Sequence, residues 1–363
     1  MQSEPVAKAP TIQDIAHEVG VTKMTVSLAL SGKGRISAAT RDEILRVAQE
    51  LRYEPNRQAQ RLSNGQRSLI ALFSPRWFPG TVGQKIELIQ GLLNERGYDV
   101  PVYGHGFRHS ESADTQIDLA KRLCRERPRA IICQNSVLPA AAIKELARYQ
   151  QEGGVVVSYG RELALECDQV LFDYVDSGYR ATRHLLEMGH RRLGLYEPGG
   201  NERTRLLGFE RAMREFGLPI REDWILNGSP HEEGGAHLAR IFLESSDRPT
   251  GLVVVNDASA ATFVHEVMRA GLRVPQDVSV VGQDDTSSAR YCYVPLTTVA
   301  QPVAEIAAQV ADLLCARLEG GGQGAARQIH LYGKLMLRRS TAAPENQSAQ
   351  SFGDFSDRLI SAS

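Results

Sequence analysis

Apolar residues follow two different patterns along the chain. In residues 1–62 they recur at the three- and four-residue intervals of short amphipathic helices. From Leu69 to about Arg339, short continuous apolar runs alternate with longer helical patterns. The small polar residues 63–68 between these parts indicate a linker, and the aperiodic residues 341–363 indicate a loose tail.

Two short helices joined by a tight turn are predicted near the N-terminus. The first begins at Thr11, which has capping-box spacing with Asp14, and Gly20 can end it. Thr22 can cap the second helix, Lys23–Leu30. Such a pair is typical of a helix-turn-helix, whose second helix enters the DNA major groove, but it also suits a protein-docking module. On the second helix we expect Val26, Ala29 and Leu30 to face the first helix, and Lys23, Met24, Ser27 and Leu28 to face outward.

A third helix is predicted from Ser37 or Ala38 to Leu51, where it would brace the other two. Its apolar positions and those of the first helix are spaced to form one buried stripe on each helix. The predicted stripes are Ile12, Ile15, Ala16 and Val19 on the first helix, and Ile44, Leu45, Ala48 and Leu51 on the third.

The long second part predicts parallel β-sheet covered by helices on both faces. Continuous apolar runs without polar alternation are typical of such buried strands, and helices between them indicate βαβ units. Eight strands over about 270 residues suit two doubly wound parallel α/β subdomains better than one sheet, with a ligand at the carboxyl ends of the strands. The candidate strands are Leu69–Phe73, Val100–Tyr103, Ala130–Cys133, Val155–Ser158, Gln169–Phe172, Leu193–Tyr196, Leu252–Val255 and Val278–Val281.

Charge is unevenly distributed. The chain of 363 residues has a formal net charge of -1, which excludes a uniformly basic nucleic-acid coat. Between Thr22 and Gly65, however, eight basic residues stand against four acidic ones. This local excess favours phosphate contacts and therefore the DNA-binding alternative for the N-terminal helices.

Several classes of protein are disfavoured by what the sequence lacks. No apolar run approaches the roughly 18 residues of a membrane helix, and residues 1–10 have no apolar signal core. The five cysteines form no C-x-x-C pair, which favours a reduced cytoplasmic protein without a metal site. Neither a phosphate-binding P-loop nor a nucleophile elbow is present, so we expect no enzyme and no cofactor.

Several segments, taken in order, resemble the LacI/GalR (lactose-repressor) family of bacterial transcription regulators. The resemblance covers almost everything except the first ten residues and the tail. It implies a DNA-binding headpiece and a hinge helix, followed by two subdomains similar to periplasmic sugar-binding proteins. The matching segments are 11–16, Val21-Thr-Lys-Met-Thr-Val-Ser27, 35–41, Tyr53-Glu-Pro-Asn-Arg57 with Leu62, 189–192, Asn256-Asp257, 271–285 and 295–301.

The resemblance implies a set of DNA-contacting residues. Lys23, Met24 and Leu28 match positions that contact bases, where lysine can reach guanine and apolar side chains can pack on thymine methyl groups. Leu62 matches a hinge leucine that wedges into the central minor-groove step. The remaining expected backbone or groove contacts are Thr22, Ser27, Arg35, Ser37, Thr40, Tyr53, Asn56 and Arg57.

The resemblance also implies an effector pocket between the subdomains. Arg205 matches a residue that binds effector oxygens with paired donors, and Asp284 can accept from paired hydroxyls. A buried pair of these two could instead be purely structural. The other expected pocket residues are Trp77, Phe78, Gln134, Phe172, Asn256 and Gln301.

Three departures from the family pattern limit what can be transferred. Many relatives carry Arg or His at the position of Leu28, and often an aromatic residue at Gln283 and in the loop 228–233. Neither the operator sequence nor the effector of a relative can therefore be assigned to this chain. The pocket is polar, which favours a sugar over a purine.

The predicted organisation is a headpiece (1–54), a hinge helix and linker (55–68), an effector-binding and dimerisation domain (69–340, with crossovers near 170 and in 298–327) and a tail (341–363). The function implied is a homodimeric, ligand-responsive regulator of the bacterial cytoplasm, most simply a repressor of carbohydrate genes, binding double-stranded operator DNA and no membrane. The alternatives are an activator, a corepressor-dependent repressor, a transport receptor and a Rossmann-like enzyme. The polar N-terminus and the basic headpiece count against the receptor.

Leu62→Ala tests the hinge. Without the apolar wedge, operator binding should weaken, because the kinked DNA loses its support, whereas effector binding should stay nearly intact. Gel shift measures the first and calorimetry the second. Equal loss of both would contradict the hinge assignment.

Overall fold

The computed structural model describes residues 10–30, 36–51, 53, 69–75, 80–105, 113–135, 138–197, 204–229, 231–321 and 324–345. The chain separates into two compact units, Met1–Arg67 and Ser68–Ser363. Within the described ranges, every helix is too short or too polar to cross a membrane.

The first unit contains the three predicted helices, α1 (Ile12–Val19), α2 (Lys23–Leu30) and α3 (Ala38–Glu50). Their beginnings are fixed by short side chains: the backbone N–H of Thr11 donates to Asp14 Oδ2 at 2.7 Å, and Thr22 Oγ1 accepts from the N–H of Thr25 at 3.2 Å. Gly20 ends α1 with φ 71°, as predicted. The core between the helices is formed by Ile15, Ala16, Val26, Ala29, Ile44, Val47 and Ala48.

The predicted stripe of α3 was partly wrong. Ile44 and Ala48 are buried, but Leu45 is 46% exposed and Leu51 37% exposed, while Val47 is buried. Val47 and Leu45 lie on opposite flanks of the Ile44–Ala48 line, and both are apolar, so periodicity alone does not decide which flank faces the core. Leu51 lies past the last helical turn.

The second unit contains two six-stranded sheets, one in each subdomain. The strand order is β11-β5-β4-β3-β1-β2 in subdomain 1 and β12-β10-β9-β8-β6-β7 in subdomain 2. Among the described residues, neighbouring strands pair in parallel, except that β10 and β12 are antiparallel. The strands are β1 (Ile70–Pro75), β2 (Val102–His105), β3 (Ala130–Asn135), β4 (Val155–Gly160), β5 (Asp168–Phe172), β6 (Leu193–Glu197), β7 (Ile225–Asn227), β8 (Gly251–Val254), β9 (Ser279–Asp284), β10 (Thr297–Ala300), β11 (Gln328–Leu331) and β12 (Lys334–Met336).

Helices cover both faces of each sheet, so the predicted fold class is confirmed. Separate apolar cores lie on the two sides of both sheets. The helices are α4 (Thr81–Glu95), α5 (Ala113–Glu126), α6 (Ala140–Gln151), α7 (Tyr174–Glu187), α8 (Thr204–Glu215), α9 (Glu232–Glu244), α10 (Asp257–Arg269), α11 (Ser287–Tyr291) and α12 (Val303–Ala316).

The chain passes between the subdomains three times: after β5, after β10 and between β11 and β12. The sequence predicted crossings near 170 and within 298–327, but not the one at residues 332–333. The strands β7, β10, β11 and β12 were not predicted either. They have only three or four residues each; β10 carries two threonines, and the other three are largely exposed edge strands, so none forms a continuous apolar run.

Helices α7 and α8 pack backbone against backbone. A Cβ at Gly208 would clash with the carbonyl oxygen of Val175, and one at Gly178 would clash with the carbonyl oxygen of Arg205. This close approach places the first turns of the two helices side by side, and with them Tyr174 and Arg205.

Gly208→Ala should therefore destabilise the second unit by about 2 kcal/mol, because the helices must move apart to admit a methyl group. Chemical denaturation measures the free energy of unfolding. Gly91→Ala is the matched control: Gly91 is a helical glycine with no atom near its Cβ position, and alanine there should stabilise by about 0.5–1 kcal/mol. Equal effects of the two substitutions would contradict the packing argument.

Candidate functional site

The candidate DNA-binding surface is carried by α2. Lys23 is exposed, and Met24 is 70% exposed, which is unusual for so large an apolar side chain. Ser27 and Leu28 are half-buried, so Leu28 faces outward less fully than predicted. An exposed lysine and an exposed methionine at the start of a helix can reach base edges in a major groove.

Hydroxyl side chains mark the beginnings of α2 and α3 on the same unit. Thr22 and Ser37 are exposed and act as caps, with Ser37 Oγ accepting from the N–H of Thr40 at 3.1 Å. Helix N-termini with exposed N–H groups favour phosphate oxygens. Tyr53 packs at the edge of the headpiece core. Four predicted DNA contacts, Arg35, Asn56, Arg57 and Leu62, lie outside the described residues.

A chain of hydrogen bonds joins the subdomains at the candidate effector site. Gln301 Nε2 donates to Asp284 Oδ1 at 2.6 Å, and Lys85 Nζ donates to Gln301 Oε1 at 3.0 Å. Asp284 ends β9 in subdomain 2, Lys85 lies on α4 in subdomain 1, and Gln301 directly follows β10, where the chain crosses. An open pocket of about 450 Å³ lies beside Asp284 and Gln301.

Sequence reasoning missed Lys85, although a signal was present. Lys85 is only 3% exposed. It lies in line with Thr81, Ile89 and Leu93, the other buried residues of α4. A lysine in an i, i+4, i+8 apolar stripe is the pattern that could have identified it.

Burial lowers the pKa of Lys85 to about 8, while the Asp284 carboxylate raises it and the Arg205 guanidinium lowers it further. At neutral pH the ammonium is therefore still charged, inside the protein, with one carboxylate acting on it. Burial of this charge therefore lowers the stability of the folded protein, and the attraction of Asp284 compensates for only part of the loss.

The guanidinium of Arg205 is the second charge that acts on Lys85. It lies 4.8 Å from the centre of the Tyr174 ring, and Arg161 lies 5.1 Å from the same ring. Phe172 meets Tyr174 edge to face at 4.9 Å. Arg205 is 6% exposed, and among the described atoms its Nε has no hydrogen-bond partner. The sequence predicted Arg205 and Phe172 here but missed Tyr174 and Arg161.

The backbone at the end of β9 is in an unusual conformation. Asp284 and Asp285 have φ of 105° and 56°, a region that residues other than glycine seldom adopt. Asp285 is held by Arg290 at 2.9 Å and by Arg338. Backbone strain of this kind persists where the surroundings enforce it, and it is concentrated at ligand-binding sites.

Two predicted pocket residues have local partners. Gln134 Oε1 accepts from Ser74 Oγ at 2.7 Å and from Tyr159 OH at 3.2 Å. Asn256 Oδ1 accepts from the N–H of Ser259 at 2.9 Å and so caps α10. Trp77 and Phe78 lie outside the described residues. The structure therefore brings together Phe172, Arg205, Asp284 and Gln301, but ties Gln134 and Asn256 into neighbouring elements.

A helix-turn-helix unit followed by two α/β subdomains with a polar site between them defines a DNA-binding transcription regulator with a ligand-binding domain. Residues 11–56 match the model of bacterial regulatory proteins of the lacI family, and residues 182–341 match a periplasmic binding protein-like domain. The chain belongs to the lacI family.

Individual relatives agree with this assignment. The transcriptional repressor PurR of Salmonella arizonae is 29% identical over 92% of this chain and 97% of its own. The lac repressor dimer bound to operator and the anti-inducer ONPF has a TM-score of 0.81 and 25% identity, covering 93% of this chain and 100% of that one. The complex of the regulator CelR with cellobiose has a TM-score of 0.67 and 26% identity, covering 91% and 99%.

Lys85→Met should increase the free energy of unfolding at neutral pH. The difference from the wild type should become smaller at alkaline pH. Between pH 8 and about 10.5 the unfolded chain binds a proton at Lys85 that the folded chain has released, so the stability of the wild type rises with pH. The advantage of the variant should shrink by about 3 kcal/mol across this range. Denaturation at several pH values measures it.

The control is Lys144→Met, which removes an exposed lysine of α6. The same pH dependence in both variants would contradict a buried, charged Lys85.

Proposed function

We propose that the protein is a repressor of carbohydrate-utilisation genes that binds a near-palindromic operator as a homodimer and takes a sugar or sugar derivative between its subdomains. The carrying observation is the hydrogen-bonded chain from Lys85 through Gln301 to Asp284. It links the buried Lys85 to the half-buried Gln301 and Asp284 where the two subdomains meet.

The DNA part of the proposal assigns Lys23, Met24 and Leu28 to base contacts and the hydroxyls of Thr22 and Ser37 to phosphates. The exposure of Lys23 and Met24 supports it. A two-fold symmetric dimer presents two such helices to two half-sites, which accounts for a near-palindrome. The operator-bound lac repressor dimer among the relatives supports the same arrangement.

The effector part assigns Arg205, Asp284 and Gln301 to polar contacts with the ligand, and Phe172 to the aromatic wall. Gln134 and Asn256 are assigned supporting places around it. A ligand that displaces Gln301 from either partner changes the bonds between the subdomains, and it shifts their arrangement only by binding one arrangement more tightly than the other. The cellobiose complex of CelR supports a carbohydrate.

Selection of DNA from a random pool by the full-length protein tests the proposal. The expected winner is a near-palindrome with a deformable central pyrimidine–purine step. Its affinity with and without added sugars then decides between induction and corepression. Enrichment of no sequence, in the presence of every sugar tried, would contradict a sequence-specific repressor.

Lys23→Ala should weaken binding to the selected operator by about 1–3 kcal/mol and relax the base preference at one position in each half-site, because a base contact is lost. Fluorescence anisotropy on operator variants measures both effects. Lys144→Ala is the matched control and should leave both unchanged. A uniform loss on all sequences would instead assign Lys23 to a phosphate.

A further inference from the structure

Two buried cations and one carboxylate form the centre of the site between the subdomains. Lys85 and Arg205 are 3% and 6% exposed. The charges that act on Lys85 are those of Asp284 and Arg205, and the charges that act on Tyr174 are those of Arg205, Arg161 and Asp284. Around Lys85 and Tyr174, three cations (Lys85, Arg205 and Arg161) therefore act together with a single carboxylate, Asp284.

The other carboxylates nearby have partners of their own. Asp285 is paired with two arginines. Both oxygens of Glu197 accept backbone N–H groups at the start of α8, each at 3.1 Å. Asp257 is buried and accepts from Thr298 Oγ1 at 2.7 Å and from the N–H of Thr286 at 2.7 Å. Glu197 and Asp257 accept these bonds from neutral groups, and Asp284 is the carboxylate whose charge acts on Lys85.

The site also has unused hydrogen-bond donors. Arg205 Nε and Gln283 Nε2 are buried without a partner among the described residues, and Gln283 is 1% exposed. Burial of an unpaired donor destabilises the protein, so a ligand that accepts from these groups recovers the lost hydrogen bonds and binds more tightly. An oxyanion is suited to Arg205 because its two oxygens can accept from Nε and one Nη together.

We infer that the effector is an acidic sugar, whose carboxylate or phosphate oxygens bind between Lys85 and Arg205 while its hydroxyls bind Asp284. This deepens the proposed function and rests on it. A neutral sugar would satisfy Asp284 but leave two buried cations with one carboxylate between them. An anionic group supplies the missing charge and accepts the unused donors.

Titration calorimetry on the full-length protein tests the inference with matched sets: glucose, gluconate, glucuronate and glucose 6-phosphate, and the corresponding galactose set. We expect one anionic member to bind about tenfold or more tightly than its neutral parent. Comparison of the sugar acids with the sugar phosphate shows whether the bound group is a carboxylate or a phosphate. A neutral parent that binds equally well, or a panel in which no anionic member binds at millimolar concentration, overturns the inference.

Lys85→Met provides the second measurement, since it removes the charge and keeps an unbranched side chain that is only one atom shorter. It should reduce the preference for the anionic sugar over its neutral parent by about tenfold, whereas Lys144→Met should not change it. A merely structural Lys85 would weaken both sugars alike. That result would also overturn the inference.

Binding to the selected operator, measured on the same preparations, separates this inference from the proposed function. If a neutral sugar alone changes operator affinity, the acidic effector is wrong and the repressor stands. If no sequence-specific DNA binding exists, the proposed repressor is wrong whatever the panel gives.

Discussion

The structure between the two subdomains depends on how one buried ammonium is compensated. Lys85 reaches the carboxylate of Asp284 only through the side-chain amide of Gln301, so the bond between the subdomains is a relay and not an ion pair. An amide can exchange partners at small cost because it both donates and accepts. A direct buried ion pair would be far more costly to open. The relay is thus suited to a protein that must rearrange when a ligand arrives.

The fold supplies this site from widely separated parts of the sequence. Asp284 is at the carboxyl end of a parallel strand, Lys85 is on the helix that follows β1, and Arg205 is at the start of α8. The contact between α7 and α8, which requires Gly178 and Gly208, places the Arg205 guanidinium on the Tyr174 ring. Backbone packing in subdomain 2 therefore determines where the positive charge lies.

Features that depend on neighbouring residues were predictable from the sequence. Contacts between residues far apart in the sequence were predictable only in part. The caps at Thr11 and Thr22 and the buried parallel strands follow from short patterns, and they were predicted. The flank of α3 that faces the core depends on the neighbouring helices, so Leu45 was chosen where Val47 is buried. Lys85 was visible as a polar residue in an apolar stripe, but its partner lies 216 positions away. Tyr174 and Arg161 had no local signal at all, and the effector assignment stays a prediction.

The interlaced path of the chain has a consequence for its synthesis. Subdomain 1 takes its last strand, β11, and its covering helix, α12, from residues that follow nearly all of subdomain 2. The sheet of subdomain 1 lacks its edge strand until residue 331 has been synthesised, and the sheet of subdomain 2 lacks its edge strand until residue 336 has been synthesised. The nascent chain therefore leaves the edge of β5 uncovered while nearly all of subdomain 2 is synthesised, and both sheets are closed only at a late stage of folding.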